Sequence, residues 1–396
     1  MYPQEYIQSI TTKRAASFDG LITKTKDISA CRRDDKAYTD LCGGIGFQNA
    51  FGADVSISGH LMRSMLYDEF VVKLAETFPF PHALPVSSGD KAILFALKLA
   101  YEKMLIPQRS KAVAIVVENA FHGRSPEAEA LSGGDITPLV ARNRIIRIPF
   151  YSPKKPYAAM NAMHKILANK KIRPFCFLTE LFQGEGGFNY APPSFFVPLF
   201  SLCKINNIPV IIDEVHTCCK TGSPLLLQRF DLVQFADIVA VGKTTQTAAV
   251  LFKEGFDADR AHLSETNPGG AKDQLQKGIH TLTTLKKEGY WGEHGKIMKL
   301  ERELLAHFEL LKKQLPHIAY TVLGNMAAIQ LPCFTKKEPA QTFVNRLVTH
   351  GILTTTCGRG RSYKVRMYFP FMIKPEQLPE IFSNLEEVAR SFGIKG

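Results

Sequence analysis

Residues Ile208 to Ser223 read IPVIIDEVHTCCKTGS. Ile208 through Ile212 are apolar, and two acids, Asp213 and Glu214, follow at once. An unbroken apolar run of this length predicts a strand covered on both faces. Carboxylates at the end of a buried strand call for a positive group nearby, and further along, ADIVAVGKTTQTAAVLF (Ala236–Phe252) places Lys243 directly after another buried strand, at a glycine. The tail GKTT resembles a phosphate-binding P-loop. That motif requires a glycine five residues before the second one, and the position holds Asp237, inside a strand that cannot make the loop.

The same alternation extends outward from about Leu84 to Phe252. HALPVS, KAVAIVVE, RIIRIPF, PFCFLTEL, IPVIID, ADIVAVG and TAAVLF read as strands. DKAILFALKLAYEKM, PYAAMNAMHKILANKK and SFFVPLFSLCKINN read as helices. Strands alternating with helices imply crossover connections, hence an α/β fold with a mostly parallel central sheet flanked by helices. Beyond Phe256 the chain turns polar, and a long helical stretch is expected from about Ile279 to Gln314. AYTVL and MAAIQL, a helix near Pro339 to His350, KVRMYFPFMI and a final amphipathic helix from Pro375 to Phe392 predict a smaller α+β domain. The expected division is an N-terminal segment (1–56) packed on the small domain or a partner subunit, a large α/β domain (57–275) and a small C-terminal α+β domain (276–396).

The 396 residues suffice for two domains. Hydrophobic residues make up 45% and charged residues 22%, an ordinary globular balance. A net charge of +12 admits nucleic acid or anionic metabolites as partners. The cations are dispersed, however, with no basic tail and no interleaved stacking aromatics, so nucleic-acid binding is not expected. Eight cysteines show no C-x-x-C pair and no zinc spacing, which predicts free thiols in a reducing compartment and no metal. No apolar leader or long apolar run is found, and a cytoplasmic protein without a membrane span is expected.

Asp213 and Lys243 should meet at the carboxyl edge of the sheet, where open α/β sheets bind ligands. A lysine there can form a Schiff base with a carbonyl cofactor, and an aspartate can hold a protonated pyridine nitrogen. Pyridoxal phosphate (PLP) needs both. Glu214 is expected in a structural ion pair. In SSGDKAILFALK, Ser88, Gly89 and Asp90 open a helix whose free amides suit a phosphate. In NAFHGRS, the Phe121 ring could stack on a flat cofactor.

ELFQGEGGFNYAPPSFFVPLFSLCKINNIPVIIDEVHTCCKTGS together with DIVAVGKTTQ, SGDKA and FHGR resembles the class III (ornithine/4-aminobutyrate type) PLP-dependent aminotransferases. The wording GKTTQ and FHGRS is most similar to the lysine 6-aminotransferase branch. The resemblance covers roughly Asp35 to Phe392 and is strongest from Ser88 to Phe252. It implies PLP-dependent transferase fold type I, a homodimer, and a ping-pong mechanism through a Lys243 Schiff base. An ω-amine or diamino acid, lysine first, would donate the amino group, and 2-oxoglutarate would accept it to give glutamate.

The resemblance also assigns residues. Lys243 would bond the cofactor and shuttle the proton, and Asp213 would pair with the pyridine nitrogen. Val215 and Phe121 would pack on the two ring faces. His216, where the family usually has Gln, would stand near the ring hydroxyl, with His122 close by as a structural hydrogen-bonder. Ser88, Gly89 and Asp90 would face the phosphate, as would either Thr266 or Asn267 from a partner subunit. Arg124 would clamp a substrate carboxylate. Glu185 would pair with Arg366 as a gate that opens between donor and acceptor. Departures from the pattern are FPF in place of Pro-Pro-Leu, a shortened stretch between Gly52 and Leu84, and GNMAAIQL without Arg-Gly-x-Gly before the strand. An aminomutase, a decarboxylase or a catalytically lost binding module on the same scaffold are the alternatives.

Overall fold

A computed structural model describes residues 22–24, 30–33, 36–39, 65–133, 144–256, 272–360 and 362–393. Most of the N-terminal segment, and with it the expectation for its packing, lies outside these. Its described parts are three short strands, β1 (Ile22–Lys24), β2 (Ala30–Arg33) and β3 (Lys36–Thr39), in an antiparallel sheet. Helix α1 (Met65–Thr77) follows. The core then runs β4 (His82–Val86), α2 (Gly89–Glu102), β5 (Ala112–Val117), α3 (Pro126–Ser132), β6 (Ile145–Ile148), α4 (Ala158–Ala168) and β7 (Arg173–Thr179). A small hairpin, β8 (Phe182–Gln183) and β9 (Asn189–Tyr190), leads to α5 (Pro193–Ile205), β10 (Val210–Asp213), α6 (Leu226–Arg229), β11 (Ile238–Val241) and β12 (Ala248–Phe252).

Seven strands form the main sheet in the order β4–β12–β11–β10–β7–β5–β6. All point the same way except β12, which is antiparallel to both neighbours. The cause is the connection: a parallel return needs a crossover of a dozen or more residues, and only the turn around Lys243–Thr245 separates β11 from β12. Every residue of β4, β5, β10, β11 and β12 is buried, as sheets covered on both faces require. One face packs on α2 through Ile93, Ala96 and Leu99, and the other on α1, α4 and α5 through Phe70, Met163 and Phe200.

The long helix expected from Ile279 to Gln314 is two helices, α7 (Lys272–Lys287) and α8 (Lys296–Gln314). Between them lie Gly289, Gly292 and Gly295, residues of poor helix propensity. Leu275, Leu282 and Leu285 of α7 pack into the same cluster as α1 and the main sheet. A second sheet follows, antiparallel in the order β13 (Ala319–Leu323), β14 (Met326–Gln330), β16 (Ser362–Tyr368) and β15 (Thr355–Arg359). With α8, α9 (Lys337–Thr349) and α10 (Leu378–Arg390), it encloses a core containing Phe308, Phe334, Phe343 and Leu385.

Candidate active site

The carboxyl ends of four neighbouring strands converge. Asp213 closes β10, Lys243 follows β11 by one glycine, Glu180 follows β7, and Phe121 and His122 lie in the loop after β5. Asp213 is 5% exposed and doubly held: its Oδ2 lies 2.8 Å from His122 Nδ1, and its Oδ1 accepts the Val215 amide at 3.0 Å. The His122 backbone amide is anchored on Ser132 Oγ at 2.8 Å, whereas the buried Nε2 has no protein partner. Glu180 accepts the amides of Phe121 at 2.9 Å and Gly184 at 3.3 Å. Burial, with Asp213 nearby, raises the Glu180 carboxyl well above the usual range.

Lys243 sits in the β11–β12 turn with a left-handed φ of 54°. Its Nζ lies 3.1 Å from His216 Nδ1. On the far side of the imidazole, Tyr368 Oη lies 2.9 Å from Nε2. Although Lys243 is exposed as a residue, protein around its amine pulls the ammonium below the ordinary lysine range; Glu185 opposes this and Arg366 adds to it. His216 is held neutral, well below its ordinary pKa, by burial and then by Lys243, Lys220 and Arg366. Arg366, on β16 of the second sheet, reaches Glu185 with Nη1 2.6 Å from Oε1.

At the start of α2, Ser88 Oγ accepts the Lys91 amide at 3.3 Å, which makes Ser88 the N-cap. The first amides of a helix have no carbonyl within it, and those of Gly89 and Asp90 stand at this edge. A Cβ at Gly89 would come within 2.9 Å of Val215 Cγ1, so the helix terminus rests directly on Val215, two residues after Asp213. The Asp90 carboxylate accepts the amides of Arg124 and Ser125, both at 2.8 Å, tying the Phe121–Ser125 loop to α2. The exposed Arg124 guanidinium lies 5.7 Å from the centroid of the Phe121 ring. Thr266 and Asn267 lie outside the described residues.

Glu214 is not in an ion pair. It accepts the amides of Leu226 and Leu227 at 2.7 and 2.8 Å and the Thr217 hydroxyl at 2.9 Å, thereby capping α6. Facing opposite sides of the strand end, the two adjacent acids have separate partners. Burial pushes Glu214 up to about 7. Cys218 and Cys219 are buried with Sγ atoms 3.5 Å apart. Among the described residues no three His, Cys, Asp or Glu side chains are grouped to hold a metal, and no helix is long and apolar enough to cross a membrane.

Sequence reasoning missed Tyr368 and Lys220. Tyr368 was legible in principle, because it stands two residues after Arg366 on β16 and so shares its face. Lys220 donates to the His216 carbonyl at 3.0 Å and is pushed down to about 8 by burial; nothing in its local sequence announces this.

PLP fits these residues. The unpartnered His122 Nε2 lies behind a carboxylate already fixed in orientation, an amine projects from the neighbouring strand end, and a helix N-terminus closes against Val215 between them. The model of the family described as Aminotransferase class-III matches residues 47–389, and the chain belongs to that family. PLP is the family's cofactor. The chain is similar to an L-lysine-epsilon aminotransferase of Mycobacterium tuberculosis, with 28% identity over 281 residues, 62% of this chain and 62% of the relative. It thus spans less than two thirds of that relative's length. An acetylornithine aminotransferase of Aquifex aeolicus is 30% identical over 370 residues, 90% of this chain and 93% of the relative. In structure the chain is similar to a lysine aminotransferase from M. tuberculosis in the internal aldimine form, with TM-score 0.71, 19% identity and coverage of 96% and 97%. The architecture is that of PLP-dependent transferase fold type I.

Proposed function

We propose that this chain is a PLP-dependent aminotransferase that takes an amino group from an ω-amine or diamino acid, lysine first, and delivers it to 2-oxoglutarate by a ping-pong route. The observation that carries the reading is the placement of Asp213 and Lys243 on adjacent parallel strand ends, with Val215 and the α2 terminus beside them. The similarity to a lysine-epsilon aminotransferase supports lysine as the first donor to test.

Bound PLP supplies an electron sink for charge developing at the amine-bearing carbon. Lys243 bonds the cofactor and, as a free amine, accepts and returns the proton at that carbon; its lowered pKa puts more of it in the basic form. Asp213 keeps positive charge on the pyridine nitrogen, and His122 holds that carboxylate in place. Val215 and Phe121 flank the ring, and His216 lies beside the lysine. Ser88, Gly89, Asp90 and either Thr266 or Asn267 serve the phosphate. Arg124 holds a substrate carboxylate as a bidentate donor. The Glu185–Arg366 pair is a gate: closed, it neutralises the arginine for an ω-amine donor; opened, it frees the guanidinium for the second carboxylate of the acceptor. The protein is taken to act as a cytoplasmic homodimer, with a large domain from 57 to 275 and a small one from 276 to 396.

The test is an absorbance titration of the PLP-loaded protein with a panel of ω-amines and diamino acids, without 2-oxoglutarate. One donor should bleach the visible band in a single half-turnover, and 2-oxoglutarate should restore it. Continuous product formation without the keto acid would instead indicate a decarboxylase or mutase, and an inert band would indicate a binding module.

A further inference from the structure

Lys243, His216 and Tyr368 form a continuous hydrogen-bonded line. Distances of 3.1 Å and 2.9 Å occupy both imidazole nitrogens. His216 is 6% exposed, whereas Tyr368 at the outer end is 40% exposed. The imidazole is fixed on several sides. Phe188 meets His216 and Tyr368 edge-on, each at 5.9 Å, and Lys220 grips the His216 carbonyl. A Cβ on Gly184 would overlap the His216 ring, so the glycine is what admits an imidazole here.

A neutral imidazole offers one donor and one acceptor. Two of the arrangements that satisfy the line differ in the histidine tautomer. In the first, a Lys243 ammonium donates to Nδ1, and Nε2–H donates to the Tyr368 oxygen. In the second, the Tyr368 hydroxyl donates to Nε2, and Nδ1–H donates to a neutral Lys243 amine. An ammonium at Lys243 can only donate and so fixes the Nε2–H tautomer, deprotonation opens the second arrangement, and neither state requires a charged imidazole.

We propose that Tyr368 is a positioning residue that acts through His216 as a proton relay for Lys243, exchanging the amine's proton with solvent whenever Nζ is not bonded to the cofactor. In the outward direction a Lys243 N–H bond breaks as Nδ1–H forms. Nε2–H breaks as a bond to the Tyr368 oxygen forms, and the hydroxyl's former proton passes to water in the same concerted event. One proton leaves and none accumulates; the inward direction is the reverse. The charged and titratable groups facing the line are Arg366 from β16, Cys357 from β15, Glu185 from the loop between β8 and β9, Asp213 and Glu180 at their strand ends, and Lys220. The inference rests on Lys243 being the reacting amine of the proposed transferase.

The test uses full-length protein loaded with pyridoxamine 5′-phosphate, which leaves Lys243 a free amine, with its histidine nitrogens isotope-labelled. During a pH titration by NMR, the wild-type His216 proton should move from Nε2 to Nδ1 as Lys243 deprotonates. Y368F, which keeps the ring on Phe188, should lose this switch. Its kcat should fall by about 10²-fold, the low end for positioned proton transfer, at little-changed donor KM, and diffusible imidazole buffer should restore part of it. A wild-type His216 fixed in one tautomer throughout overturns the relay, as does Y368F with wild-type kcat and switch. Failure of the aminotransferase reading would look different: no donor would turn over on the wild type, while the tautomer switch could still be read.

Discussion

Arg366 and Glu185 meet at 2.6 Å across the gap between the two sheets, with side chains 13% and 26% exposed. The ion pair is therefore screened enough from water to matter and accessible enough to open. Glu185 is also the leading influence that raises the Lys243 pKa against partial burial. In E185Q that support disappears while Arg366 continues to repel the ammonium. The Lys243 pKa should fall further, and the acidic limb of the donor half-reaction, which needs the free amine, should move to lower pH. With its guanidinium unpaired, the variant should also show an acceptor KM lower by about tenfold, one charge-assisted hydrogen bond. Single-turnover measurements of each half-reaction against pH check both outcomes.

Asp213 has a structural partner in His122 besides the pyridine contact proposed for it. D213A leaves His122 Nδ1 without its acceptor in a side chain that is 0% exposed. The variant should lose about 1–3 kcal/mol in urea unfolding of the cofactor-free protein. D213N keeps an oxygen for the Val215 amide but removes the charge. It should fold near normally and lose about 10²-fold or more in turnover, the scale of a preorganised electrostatic contact.

Glu214 makes the fold pH-sensitive. Burial raises its carboxyl from an ordinary 4.5 to about 7, so between those values the folded state binds more protons than the unfolded state. Stability should therefore fall as pH rises through that window, by at most about 3 kcal/mol from this group. E214Q should flatten the dependence. It should also be less stable at low pH by about 1–3 kcal/mol, because its amide nitrogen faces a backbone N–H that the carboxylate accepted. Urea midpoints across the pH range measure both effects.

Arg229 on α6 and Glu301 on α8 are joined by two bonds of 2.6 and 2.7 Å, and Glu301 also accepts the Gly324 amide at the turn between β13 and β14. E301A removes the acceptor of that amide and leaves Arg229 only the Thr221 carbonyl, at 2.9 Å. A loss of about 3 kcal/mol is expected, at the low end for a broken buried pair because Arg229 remains 24% exposed. A change near zero would mean that water replaces the carboxylate.

The α/β core was legible because its strands are continuous apolar runs. Asp213, Lys243 and the α2 terminus were legible because each follows directly on such a run. The reversal of β12 was legible only through connection length. Helix α1 carries Tyr67, Phe70, Val71 and Leu74 at helical spacing and was legible but passed over, whereas β15 is embedded in the basic run before Arg366. Glu214 was misread because a capping role depends on the backbone of a helix a dozen residues away. The contacts of Tyr368 and Lys220 with His216 exist only after the second sheet and the β10 loop have packed around it.

Lys243 is proposed as the amine that bonds the cofactor. The most direct measurement is borohydride reduction of the PLP-loaded protein followed by peptide mapping. A pyridoxyl group on Lys243 and loss of the visible band in K243A are expected. A label on any other lysine, or a K243A variant that still forms the band and turns over, would contradict that assignment.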